Sequence, residues 1–138
     1  MNKTLLKLDG IWSLTLIPNE DVAKNSFDIH TKEHLNRCGY KAIPAEVPGN
    51  FELDLVREGL APEPYFSQNA WDFQQYENRH LYYSVDFEFD STADKNTFIV
   101  FEGIDTVCDI YINGRLLGKT ENMLISHEFC IDGFVNKG

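Results

Sequence analysis

The sequence predicts an antiparallel β-sandwich with one short helix, and three observations carry that expectation. Apolar and polar residues alternate with period two over several stretches, turn residues punctuate these stretches, and a single segment has the pattern of a helix.

The first strand covers residues 11–17, with Trp12, Leu14 and Leu16 on one face, and ends at Pro18. Trp12 there is a large apolar contribution to the core. Residues 18–42 are polar and poorly periodic and read as a long, partly irregular connection. From Asn50 to Glu58 the chain reads as helix. Asn50 is an acceptable cap, Glu52 and Asp54 stand where the helix dipole favours acids, Leu53, Leu55 and Val56 form an apolar face, and Gly59 stops it. Residues 61–79 form a second long segment with two prolines and the aromatics Tyr65, Phe66, Trp71, Phe73 and Tyr76. Connections of this length are either functional or disordered, and aromatic richness argues against disorder.

Residues 81–90 alternate most cleanly. Leu81, Tyr83, Val85, Phe87 and Phe89 share one face, and Tyr82, Ser84, Asp86, Glu88 and Asp90 the wet one. Residues 97–101, β-branched and aromatic, lie between Asp94-Lys95-Asn96 and Gly103 and read as a more buried strand. After Asp105 the alternation returns over 107–112. Asn113-Gly114 then gives the strongest short hairpin signal before Arg115 to Gly118. A last strand over 124–131 ends at Asp132-Gly133.

The 138 residues, 43% hydrophobic and 25% charged, fit one ordinary domain. They are too few for a complete (β/α)₈ barrel, which needs about 250 residues. Twelve Lys and Arg against 22 Asp and Glu give a net charge of −10 with no basic cluster. Nucleic acid and anionic membrane surfaces are therefore excluded as partners. No run approaches the about 18 apolar residues of a membrane span, and the first residues lack the apolar core of a secretory signal.

Cys38, Cys108 and Cys130 include no CxxC pair, so neither a disulfide framework nor a zinc site is indicated. Cys108 and Cys130 lie in strand-like runs and read as core, Cys38 as exposed. Free thiols point to the cytoplasm. His30, His34, His80 and His127 are too scattered for a ligand set. No metal or other cofactor is expected. The sequon Asn2-Lys3-Thr4 has meaning only in a secreted protein.

Several pieces of the chain carry a resemblance when taken in order. They are Leu8 to Leu14, Val47-Pro48-Gly49-Asn50 leading into Leu53 to Leu60, Pro64-Tyr65-Phe66 with Asn69 and Trp71, and Glu77 to Tyr83. Phe101 to Gly114, Leu117-Gly118, Glu121-Asn122-Met123 and Phe129 to Asp132 complete the set. Together they resemble the N-terminal domain of glycoside hydrolase family 2, nearest its β-mannosidase branch. The resemblance runs from Leu8 to Asp132. It implies a jelly-roll, galactose-binding-domain-like sandwich over residues 1–138. It further implies an immunoglobulin-like domain and a barrel that follow, and retaining hydrolysis of a terminal β-linked sugar by two glutamates of the barrel. No catalytic residue is therefore expected in this chain. Asn19-Glu20 matches the dipeptide that carries the family's acid/base glutamate, but it follows Pro18 with no barrel strand before it and reads as part of a connection.

The resemblance also implies that loops of this domain reach the edge of the barrel's sugar pocket. The candidates are Asn69, Trp71, Asp72, Glu77 and Arg79: an indole stacks on the apolar face of a sugar, and amide, carboxylate and guanidinium groups bond its hydroxyls. The competing reading buries Trp71 and Tyr65 under the loop and leaves Glu77 and Arg79 paired locally or facing a neighbouring domain. The partners implied are a terminal β-linked sugar shared with the barrel and the domains that follow. Because the family continues with further strands after Gly138, the sandwich is expected to lack its last strands and to dimerise through open sheet edges. A different functional class stays open beside this one: a stand-alone carbohydrate-binding or protein-interaction sandwich.

Overall fold

In the computed structural model, which describes residues 5–24, 31–90 and 96–138, the chain divides into two compact units, 1–87 and 88–138. The sequon at residues 2–4 and His30 lie outside the described residues.

The first unit is built on a three-stranded antiparallel sheet. Strand β1 (Gly10–Pro18) lies between β2 (Ile43–Val47) and β3 (Arg79–Ser84). Register places Trp12 opposite Ala45, Leu14 opposite both Ile43 and Tyr83, and Leu16 opposite Leu81. Opposed residues share a face, so these seven side chains form one apolar layer. Against it pack Leu55, Phe51 and Val56 from one helix and Phe73 and Tyr76 from the segment before β3, with Leu14 and Ala45 fully buried. Shortening Leu14 or Leu55 to Ala would cost about 2–5 kcal/mol. On the opposite face, Ile17 is fully buried against Leu35, with Val22, Tyr40 and Tyr82 around them.

Three short α-helices flank this sheet where one was expected. Helix α1 (Asn19–Lys24) follows β1 directly, its Asp21 carboxylate accepting the Tyr40 hydroxyl at 2.9 Å. Helix α2 (Lys32–Arg37) occupies the connection read as partly irregular. Thr31 Oγ1 caps it by accepting the His34 N–H at 3.2 Å. The Tyr40 N–H reaches back to Leu35 and the Gly39 N–H to Asn36, which is a Schellman closure. Helix α3 (Phe51–Arg57) is the expected one. Asn50 Oδ1 accepts the Leu53 N–H at 3.0 Å, and the same closure recurs, with Leu60 bonded to Leu55 and Gly59 to Val56 at φ 71°. A 3₁₀-helix, Asn69–Tyr76, supplies the fourth helical segment, in the aromatic stretch.

The second unit holds two antiparallel pairs. Strand β4 (Phe98–Phe101) pairs with β7 (His127–Cys130), Phe98 opposite Cys130 and Phe101 opposite His127. Strands β5 (Cys108–Ile112) and β6 (Arg115–Thr120) form the expected hairpin. Both turn residues have positive φ, 50° at Asn113 and 77° at Gly114, as a type I′ turn demands. The Asn113 side chain donates to the Phe134 carbonyl and Arg115 to that of Gly133, each at 2.8 Å, which ties the hairpin turn to the turn after β7. Ile110, Ile112, Ile131 and Thr120 are buried.

The antiparallel all-β class holds, with corrections in detail: β4, expected to be a more buried strand, leaves Phe98 and Val100 about half exposed. The strand expected over 81–90 ends at Ser84, and Tyr82, assigned to the wet face, is half-buried against Ile17 and Leu35 because this sheet is covered on both sides there. Cys130, read as core, is exposed, while Cys108 is half-buried and its thiol is pushed up by burial and then by Asp109. The described part of residues 18–42 holds helices α1 and α2, because residues there act locally although their apolar pattern is weak.

Candidate functional site

Described residues of the first unit line a concavity. It is an open cleft of about 400 Å³ between the first turn of α3, the 3₁₀-helix and the start of β3. Its position follows from the sheet: β1 pairs with both β2 and β3, and thereby brings α3, which follows β2, beside the segment that precedes β3.

Phe51 and Tyr76 form the apolar side, edge to face at 6.3 Å, and Phe73 packs on Tyr76 at 6.1 Å. Glu52, Gln74, Glu77 and Arg79 form the polar rim. Arg79 lies over the Tyr76 ring at 5.5 Å and makes no ion pair among the described residues. The Glu52 and Glu77 carboxylates and the Gln74 amide likewise bond no other described side chain. The rim therefore offers two carboxylates and one amide with no bonded side chain among the described residues, beside the Arg79 fork that lies on the Tyr76 ring.

Of the five residues singled out from the sequence, the structure brings Glu77 and Arg79 together at this cleft. Asn69 instead braces its own loop, donating to the Glu63 carbonyl at 3.0 Å. Trp71 is 67% exposed and Tyr65 84%, so neither is buried under the loop in this chain. Asp72 is exposed, its backbone carbonyl accepting from Gln75. Sequence reasoning missed Phe51, Glu52 and Gln74 as cleft residues. The available signal was that the helix at 51–57 and the aromatic segment each need an apolar cover.

The other sequence candidates stay apart. Asn19 and Glu20 open helix α1, and the Asn19 N–H donates to the Asn78 carbonyl at 3.0 Å. The His80 ring stacks on Tyr82, and His127 bonds the Asn122 carbonyl at 2.7 Å. Among the described residues, no group of three or more His, Cys, Asp or Glu is placed to hold a metal ion. None of the helices there is long and apolar enough to cross a membrane.

Comparison with known proteins places this geometry among relatives. A family model described as glycosyl hydrolase 2 galactose-binding domain-like matches residues 23–138. The β-mannosidase of Mus musculus is 31% identical over 102 residues, which is 72% of this chain and 12% of that protein. Its counterpart from Bos taurus is 33% identical over 97 residues, 67% of this chain and 11% of that protein. The crystal structure of a β-D-mannosidase from Dictyoglomus thermophilum superposes with a TM-score of 0.76 at 31% identity, covering 99% of this chain and 14% of that one. The chain thus spans only a small part of the length of the relatives it matches.

Proposed function

The chain belongs to the glycosyl hydrolase 2 galactose-binding domain-like family, and on that footing we propose that it serves as the non-catalytic N-terminal module of a retaining, exo-acting β-mannosidase. Its fold is the antiparallel β-sandwich of that family, shared along nearly the whole chain with the Dictyoglomus enzyme. That match is the observation carrying the proposal.

In this reading the two catalytic glutamates belong to a barrel domain, and the hydrolysed sugar is a terminal β-linked mannose. Asn69, Trp71 and Asp72 stand at the edge of the barrel's pocket. The exposure of Trp71 supports this, since an indole left uncovered is available to stack on a sugar ring. Exposed Tyr65, Phe66, Val107 and Leu124 supply apolar surface for packing on neighbouring domains or, in the isolated chain, for dimerisation. The three free thiols favour a cytoplasmic setting.

The test is an assay of this 138-residue chain, alone and joined to the remaining domains of a β-mannosidase, on an aryl β-mannoside. Turnover is expected only from the joined protein, with kcat/KM reduced by Trp71→Ala. Turnover by the chain alone that survives replacement of Asn19 and Glu20 would overturn the assignment.

A further inference from the structure

We propose that the cleft between Phe51, Tyr76 and Arg79 is itself a binding site for a neutral saccharide unit, separate from the pocket edge at Trp71. Three properties carry it.

The first is size. At about 400 Å³ the cleft falls within the range of small-molecule sites, about 300–1,000 Å³. The second is the state of the polar groups. Glu52, Gln74, Glu77 and Arg79 converge on one opening without bonding other described side chains, whereas Asp54 and Arg57, on the same helix as Glu52, are tied to each other at 2.8 Å. The Glu52 and Glu77 carboxylates and the Gln74 amide, held beside an aromatic wall with no bonded side chain among the described residues, are free to meet a ligand.

The third property selects the ligand class. An anion would meet two carboxylates, and a cation would meet Arg79, whose guanidinium already occupies the Tyr76 face. A hydroxyl both donates and accepts, so a polyol uses carboxylates, amide and guanidinium together without a net charge mismatch. The carbon face of a pyranose ring suits Phe51, beside the Tyr76 ring that Arg79 covers. Phe51 and Tyr76 are fixed by packing on the sheet core through Phe73, so the apolar wall is preformed.

The inference rests on the module reading only for the choice of probe. The ¹⁵N-labelled 138-residue chain is titrated with methyl β-D-mannopyranoside and followed by amide chemical shifts. Saturable shifts at Phe51, Gln74, Tyr76 and Glu77, with a millimolar Kd, are expected. Glu77→Ala, at an exposed position with no bonded side chain among the described residues, is expected to weaken binding about tenfold and Trp71→Ala to leave it unchanged. Glucosamine and glucuronate serve as charged controls and are expected to bind no more tightly than the neutral glycoside.

Three results would each overturn the inference: no saturable shift, binding lost in Trp71→Ala but kept in Glu77→Ala, or a tenfold preference for either charged sugar. A negative titration beside normal turnover by the joined enzyme would remove the cleft site and leave the module assignment standing.

Discussion

Arg57 holds the buried carboxylate of Asp54 at 2.8 Å from the surface side of helix α3. The same Asp54 oxygen accepts the Glu46 N–H at 3.0 Å, which pins α3 to strand β2, while its second oxygen is buried without a partner. Removing either partner of such a pair leaves an uncompensated charge or an unpaired N–H. Arg57→Ala and Asp54→Ala are each expected to lower stability by about 2–4 kcal/mol in urea denaturation. Glu46→Gln, at the exposed end of the network, should change it by less than about 1 kcal/mol. Equal effects at Glu46 and Asp54 would refute this ranking.

Gly118 on β6 has no room for a side chain, since a methyl group there would collide with the Phe129 ring on β7. Gly118→Ala is expected to cost about 1–3 kcal/mol by overpacking. Combining it with Phe129→Leu should recover part of that loss, so the two changes should be non-additive in a double-mutant cycle. Strict additivity would mean the ring moves aside freely.

Tyr83 gives an alkaline signature. Partial burial, and then the Asp54 and Glu52 carboxylates, push its hydroxyl from 10.0 up to about 12. The folded state therefore keeps a proton that the unfolded chain releases near pH 10. The associated stability is complete below pH 10 and is lost as pH rises from 10 towards 12. Ultraviolet titration of the phenols should show a late-titrating component that Tyr83→Phe removes, together with a shallower loss of stability over the same interval. Complete phenol titration by pH 11 would contradict it.

The two tryptophans should report their surroundings. Trp71 is 67% exposed, whereas Trp12 is half-buried with its indole N–H donating to the Leu8 carbonyl at 2.7 Å. Trp71→Phe should shift the fluorescence maximum to shorter wavelength and reduce acrylamide quenching. An unchanged spectrum would show that Trp71 is covered in solution.

What was legible in the sequence was local. Asn113-Gly114 forced a hairpin, and Asn50 with Gly59 bounded helix α3, because the bonds concerned close within a few residues. Helix α2 carries the same local code at Thr31 and Gly39, yet it buries only Leu35, too little apolar periodicity to stand out. The strand pattern beyond Ser84 misled because alternation records which faces are apolar without recording where a continuous ladder stops. At the site, Glu77 and Arg79 lie close enough in sequence to be grouped by eye. Phe51 and Glu52 reach them only through the pairing of β1 with strands on both sides, a long-range fact that no local spacing encodes.

The matching closures of α2 and α3 have a consequence for how the chain tolerates change in length. Each helix is stopped at both ends by its own residues, so neither can lengthen or shorten to take up slack. Strand β2, between them, is metered from both directions like a rung between two cut spacers. One residue gained or lost within Ile43–Val47, rather than in residues 40–42 or 48–49 beside it, shifts the strand's alignment on β1. Since a single step turns every side chain over, Ile43 and Ala45 would face the opposite way.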